Sequence, residues 1–267
     1  MKRLISFLMM VIACTATFAQ VERPKLVVGF VVDQMRWDYL YYYNDQFGEG
    51  GFKRLLREGF SCENTMINYV PTVTAIGHSC IYTGSVPGLN GNDFMIAGKK
   101  MYCVSDSTVH SVGSSSREGK MSPRNLLATG IGDMLKIATD YKAKVFGVAL
   151  KDRAAILPAG HAADAAYWWD TSAGHFISSS YYMDKLPEWV NRFNKTVRVK
   201  PGTDIKCSPE GVTKTFQMAK AVLDNEQLGQ DDVTDMLAIS ISSTDIIGHA
   251  YGTRGAGLDY AGVCAVD

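Results

Sequence analysis

The sequence is short of several things that would each settle a class. It has no excess of either charge, 27 Lys+Arg against 27 Asp+Glu, so nothing draws it generally to nucleic acid or an anionic membrane and any anion must be recognised locally. Only 8 prolines are spread over 267 residues, and no low-complexity stretch makes a linker. There is no C-x-x-C and no zinc-finger spacing of Cys and His. Past the first twenty residues no apolar run is long enough to span a bilayer. What remains is 46% hydrophobic and 20% charged, the make-up of a globular protein with a sizeable core.

The chain opens as an export signal does. Lys2 and Arg3 precede an apolar run from Leu4 to Ala13, and small residues continue to Ala19, so residues 1–19 are expected to be a removed leader. The alternative is Val11-Ile12-Ala13-Cys14 as a lipobox, with Cys14 a lipid anchor on the outer membrane. Either way the mature protein is expected in the periplasm or otherwise exported. Cys62, Cys80, Cys103, Cys207 and Cys264 would then meet an oxidising compartment, where one or two disulfides are expected, Cys62 and Cys80 being nearest in sequence.

Apolar runs alternate with helical patterns. Leu26–Val32 reads as a central parallel strand covered on both faces, and Val145–Leu150 and Met236–Ile241 as further buried strands. Phe52–Glu58 reads as a short helix ended by Gly59 in the left-handed conformation. Ser122-Pro123 reads as the start of a helix carrying Leu126, Leu127, Ile131, Met134 and Leu135, and Ser208-Pro209 as the start of another. This succession predicts an α/β three-layer sandwich on a largely parallel central sheet. Residues 90–119 and 167–182 read as long excursions from it; Trp168 and Trp169 would line a cleft or form a small satellite core. The acidic run Asp224–Asp232 reads as a solvated helix end.

Three of these strands run into ionisable residues: Asp33, then Lys151-Asp152-Arg153, then Asp245 with His249 four residues on. A parallel sheet would bring those ends together. Asp245 and His249 share a face if the turn between them is helical, a spacing that suits Zn²⁺. Lys151 and Arg153, two apart on extended chain, would point the same way and grip one phosphate, with Asp152 pointing away. Thr74 stands where a helix begins, either as an N-cap or as a hydroxyl facing free backbone N–H groups that favour an anion. Singly, each is an ordinary feature of a protein surface.

Together the runs VVDQMRWDYL, NYVPTVTAIGHSCIYTGSVPG, GND, ALKDRAAILPAGH and SSTDIIGHAYG resemble the bacterial phosphate-irrepressible alkaline phosphatases, members of the alkaline phosphatase superfamily with a Thr nucleophile. The resemblance runs from Lys25 to about Tyr251 and implies the fold predicted above. It implies that Thr74 is the nucleophile of a phosphothreonine intermediate. It implies that Asp33 and Thr74 hold one zinc, that Asp245 and His249 hold a second, and that Asn92, Lys151 and Arg153 hold the phosphoryl oxygens of a small-molecule monoester. His78 is expected to pack or hydrogen-bond in the nucleophile helix, and His161 and His175 match no ligand position.

The pattern lapses after about Arg254, where the family carries a further Asp-His pair and a later His. Residues 20–267 therefore read as the N-terminal part of such a catalytic domain, with two protein ligands per zinc and an exposed sheet edge that lowers stability. The rival readings are a phosphodiesterase or nucleotide pyrophosphatase of the same superfamily, which would crowd an esterified oxygen against Lys151 and Arg153, and a non-catalytic fragment that binds phosphate or metal.

Overall fold

The computed structural model describes residues 23–87, 93–96, 98–252 and 266. The expected leader and anchor Cys14, together with Asn92 and Cys264, lie outside them. In chain order the elements are β1 Leu26–Val32, α1 Tyr39–Tyr42, α2 Phe52–Glu58, α3 Thr74–Thr83, the hairpin β2 Asp93–Ile96 and β3 Lys99–Tyr102, β4 Ser111–Val112, α4 Ile131–Ala138, β5 Val145–Ala149, α5 Asp152–Ala159, β6 Ala165–Asp170, β7 His175–Ser179, α6 Glu188–Val197, α7 Pro209–Asn225, β8 Asp235–Ile241 and α8 Ser243–Tyr251. Six strands form one sheet in the order β1-β8-β5-β6-β7-β4; the first four are parallel, and β7 and β4 return antiparallel. Among the described residues no helix is long and apolar enough to cross a membrane.

Alternation along the strands builds the layers. Tyr167 and Trp169 of β6 join Phe146, Val148, Leu237 and Ile239 against Val190 of α6 and Val212 and Met218 of α7. Trp168, one residue out of phase, joins Ala149 and Ala166 against Ala75 of α3 and Ala155 and Ile156 of α5. That second face is lined by small residues, which lets α5 lie close: a Cβ on Gly147 would stand 2.1 Å from the Ala155 carbonyl oxygen. The result is the sheet between two helical layers that the sequence pattern implies.

Several local expectations are corrected. β1 is parallel but lies at the sheet edge, pairing only with β8 among the described residues, and Val28 is 50% exposed. Its run of apolar residues on both faces is that of a covered strand, yet only one flank is paired. Gly59 ends α2 in extended backbone (φ −95°), not the left-handed region; a Cβ there would stand 2.5 Å from the Leu55 carbonyl, so close approach is what demands glycine. No helix starts at Ser122. Its hydroxyl donates to Asp106 Oδ2 (2.7 Å), and the helix begins only at Ile131, so Leu127, Ile131 and Met134 are largely exposed rather than core. The two presumed excursions contain β2, β3, β4, β6 and β7, and Trp168 and Trp169 are central core rather than cleft lining. The acidic run does follow a helix end, since α7 stops at Asn225. Cys62, Cys80 and Cys207 are free thiols, Cys62 exposed and Cys80 buried on α3, so the Cys62–Cys80 disulfide is not formed.

His161 belongs to the scaffold. Its Nδ1 lies 3.3 Å from Asp133 Oδ2 and its Nε2 3.0 Å from the Leu126 carbonyl, both acceptors, an arrangement that favours the protonated ring, in which both nitrogens donate. The bond to Asp133 raises its pKa above the ordinary value against the opposing effect of burial. Asp133 also accepts the Gly130 and Ala162 N–H groups, tying the start of α4 to the end of α5. A raised pKa stabilises the fold fully below the unfolded value of about 6.5, and that contribution is lost as pH rises through the folded one. His161→Gln should therefore lower the melting temperature most below that pH and least at alkaline pH. The ring is about a third exposed, so the effect stays under about 1 kcal/mol.

The β1 edge, unpaired among the described residues, should template association. Sedimentation is expected to show concentration-dependent oligomers that Val28→Lys suppresses, with unfolding free energy changed by no more than about 0.5 kcal/mol.

Candidate active site

The parallel strands β1, β8 and β5 lie side by side, so the residues following each emerge at one edge of the sheet. Asp33 follows β1, and both its backbone polar groups are held by the β8 side: its N–H donates to the Ile241 carbonyl (3.0 Å), and its carbonyl accepts from Thr244 Oγ1 (2.6 Å). Gln34 then takes a left-handed φ of 59°, uncommon for a non-glycine residue, and turns the chain away. Lys151 follows β5 in extended backbone and precedes α5, so Asp152 and Arg153 occupy the first helical turn rather than continuing a strand. Asp245 sits in the first turn of α8 and His249 one turn later, the helical arrangement that their spacing requires.

Lys151 joins these pieces. Its ammonium lies 2.7 Å from Asp33 Oδ2, 2.5 Å from Asp245 Oδ2 and 3.0 Å from Thr74 Oγ1. Thr74 is the first residue of α3, with Val73 as the cap, and its hydroxyl donates to Asp33 Oδ2 at 2.8 Å instead of capping the helix. Burial raises the pKa of the Asp33 carboxyl, but the Lys151 ammonium and the Thr74 hydroxyl outweigh it and hold the group below the ordinary carboxylate value. His249 Nε2 lies 3.3 Å from Asp245 Oδ1, on a side chain that remains 73% exposed. Arg153 stands apart from the ammonium; its Nη1 donates to the Tyr102 hydroxyl (2.9 Å) and lies 3.7 Å from Asp152 Oδ1. Asp152 thus faces Arg153, against the expectation that it points away, because a helical turn replaces the strand geometry. Thr74, Lys151, Arg153, Asp33, Asp245 and His249 all line one cleft of about 1010 Å³.

His78 is packed one helical turn from Thr74 and is almost wholly buried. Nδ1 lies 2.7 Å from the Thr74 carbonyl, which can only accept, so Nδ1 carries the proton and Nε2 accepts from Ser240 Oγ at 2.7 Å. Burial pushes its pKa down, consistent with a neutral ring. This links α3 to β8 directly behind Thr74.

The donor types suit a divalent cation: carboxylate and hydroxyl at Asp33 and Thr74, carboxylate and imidazole at Asp245 and His249. They fall short in number. Among the described residues no group of three His, Cys, Asp or Glu side chains converges on one point, and both carboxylates are instead paired with Lys151. Sequence reasoning missed Tyr102, Ser240, Thr244 and Gln34. Thr244 lies inside the SSTD run that flagged Asp245, whereas Tyr102 reaches the site from the β2–β3 hairpin and carried no sequence signal.

The strand order and the site at its carboxyl edge define an alkaline phosphatase-like fold. The crystal structure of alkaline phosphatase PafA superposes with a TM-score of 0.87 at 43% identity, covering 92% of this chain and 58% of that one. A family model described as type I phosphodiesterase / nucleotide pyrophosphatase matches residues 27–261, and the chain belongs to that family. It is 48% identical over 288 residues to a Myroides odoratus protein named calcium-transporting ATPase, covering 87% of this chain and 53% of that one. It is 45% identical over 292 residues to the alkaline phosphatase PhoV of Synechococcus elongatus, covering 90% of this chain and 53% of the other. The chain spans about half the length of these curated relatives.

His78→Leu would leave the Ser240 hydroxyl buried without its partner and remove the side-chain bond to the Thr74 carbonyl. Urea titration should show a loss of about 1–3 kcal/mol, well above the cost of an isosteric core change.

Proposed function

We propose that the intact protein hydrolyses phosphate monoesters through a phosphothreonine at Thr74. The observation that supports this best is the position of Thr74 Oγ1 between the Asp33 carboxylate and the Lys151 ammonium, in the first turn of a helix that opens into the cleft. Relatives named alkaline phosphatase support the same reaction class.

Thr74 Oγ would attack the phosphorus as the bond to the ester oxygen breaks, the hydroxyl proton passing to solvent and the departing alkoxide taking one up; water would then cleave the phosphothreonine, returning the Thr74 hydroxyl and free phosphate. Asp33 accepts the hydroxyl hydrogen bond and so aims the lone pairs, but a carboxylate held below its ordinary pKa is far too weak a base to ionise an alcohol. Lys151 stabilises negative charge that develops on Oγ, the more so because the group is buried. Arg153, with Lys151 and Asn92, would hold the non-bridging phosphoryl oxygens; a dianionic monoester has three to satisfy. Zinc is the proposed cofactor, two ions in a complete site, one held by Asp33 and Thr74 and one by Asp245 and His249; bound there it would supply Lewis acidity and charge compensation. Further ligands would come from outside the described residues. Residues 1–19 are proposed to export a mature chain that begins at residue 20, with small-molecule monoesters rather than nucleic acid as substrates.

The family description favours a second reading, hydrolysis of diesters or nucleotide pyrophosphates. Lys151 and Arg153 both lining this cleft favour the monoester, because an esterified oxygen placed there would lose one of its cationic partners.

With zinc and a ³²P-labelled aryl monoester, acid-stable label should appear on Thr74. Thr74→Ala should abolish it and reduce turnover by roughly 10³-fold or more, whereas Thr74→Ser should retain label. Equal label in Thr74→Ala, or a diester turned over faster than the monoester, overturns the reading. No label and no turnover at saturating zinc would leave a non-catalytic phosphate- or metal-binding fragment.

A further inference from the structure

Arg153 does not reach the cleft unaided. Its Nη1 donates to the Tyr102 hydroxyl at 2.9 Å, and that hydroxyl donates in turn to Asp152 Oδ1 at 2.6 Å. The same Oδ1 accepts the Arg153 backbone N–H at 2.6 Å, so a single carboxylate oxygen anchors both the main chain of Arg153 and the phenol that holds its side chain. The guanidinium carbon lies 5.9 Å from the Tyr102 ring centroid, closing the contact from the ring side. Arg153 Nε is buried and has no partner among the described residues, which marks it as a donor waiting for an acceptor.

We propose that Tyr102 is the positioning residue for Arg153: with Nη1 tied back to the phenol, the guanidinium is held where Arg153 lines the cleft, ready to meet an oxyanion there. This rests on the reading that Arg153 grips a phosphoryl group. A long arginine side chain loses much rotamer freedom when it binds an anion, and a fixed Nη1 places that loss in folding rather than in binding. Burial, with the Asp152 charge, keeps the phenol protonated far into the alkaline range, so it stays a donor to Asp152 and an acceptor from Arg153 wherever an alkaline phosphatase would work. Tyr102 is the last residue of β3, paired across the hairpin with Asp93, so the hairpin is what delivers the phenol to α5. The Arg153 placement therefore depends on the β2–β3 excursion being docked, not on α5 alone.

The test is inorganic phosphate binding by the full chain with zinc supplied, followed by calorimetry for the unaltered protein, Tyr102→Phe, Arg153→Ala and the double variant. Tyr102→Phe should bind phosphate about tenfold more weakly while melting within a few degrees of the unaltered protein. In the Arg153→Ala background the same change should cost less than about twofold. Asp152→Asn, which keeps an acceptor facing the phenol and removes its charge, should weaken binding in the same non-additive way. Equal losses with and without Arg153, or no loss in Tyr102→Phe when Arg153→Ala is weakened, overturn the positioning role alone. Unchanged affinity in Arg153→Ala, or no saturable phosphate binding by the unaltered chain, overturns the phosphoryl-gripping reading and the positioning role with it.

Discussion

A single buried ammonium holds this site together. Lys151 is 7% exposed and touches two carboxylates from two different strand ends and a hydroxyl from a third element. Each partner makes the others tolerable: an unpaired charge at that depth costs several kcal/mol, and so does either carboxylate left without its cation. The arrangement exists only because β1, β8 and β5 are adjacent and parallel, so their carboxyl ends lie within two strand spacings, about 10 Å. A different strand order would bury three uncompensated charges. Two carboxylates against one ammonium also leave the centre one negative charge in excess, a balance that a divalent cation would invert and that an anionic substrate would then restore.

The layer beneath the centre is built to hold that geometry. Small residues on the α3–α5 face of the sheet, Gly147 and Ala149 among them, let the helices sit close enough for Thr74 and Lys151 to meet. His78 then fixes α3 against β8 through a tautomer dictated by its two partners, so Thr74 is tied to the strand that precedes the helix carrying Asp245. Thr244 does the same from the other side by binding the Asp33 carbonyl. Rigid placement of this kind is what a reaction with little slack in its geometry requires. Arg153 is the exception: it is set by a hairpin, an element with far fewer contacts to the core.

Much of this was readable without coordinates. β1, α2 and β8 fall within a residue of the stretches picked out by periodicity, because long uninterrupted β-branched runs and a seven-residue amphipathic turn leave few alternatives. The hairpin of β6 and β7 was missed. Its aromatic residues alternate toward two cores, so that every residue of β6 is buried and no polar phase marks the strand. Ser122-Pro123 misled for a different reason. It has the composition of a helix start, but Asp106 claims the serine hydroxyl and the chain remains irregular up to Gly130. Local chemistry is a weak guide when a distant carboxylate can bid for the same group.

By itself the sequence determined which ionisable and hydroxyl side chains follow the strand ends, since a side chain's chemistry and a strand's pattern are both properties of short stretches. It could not determine that Lys151 would sit on both carboxylates instead of standing off to await a phosphate, nor that Tyr102 would hold Arg153. Those outcomes belong to the tertiary structure, because they turn on distances between segments 50 to 118 residues apart, and such distances are set by how strands are ordered and how closely helices pack upon them.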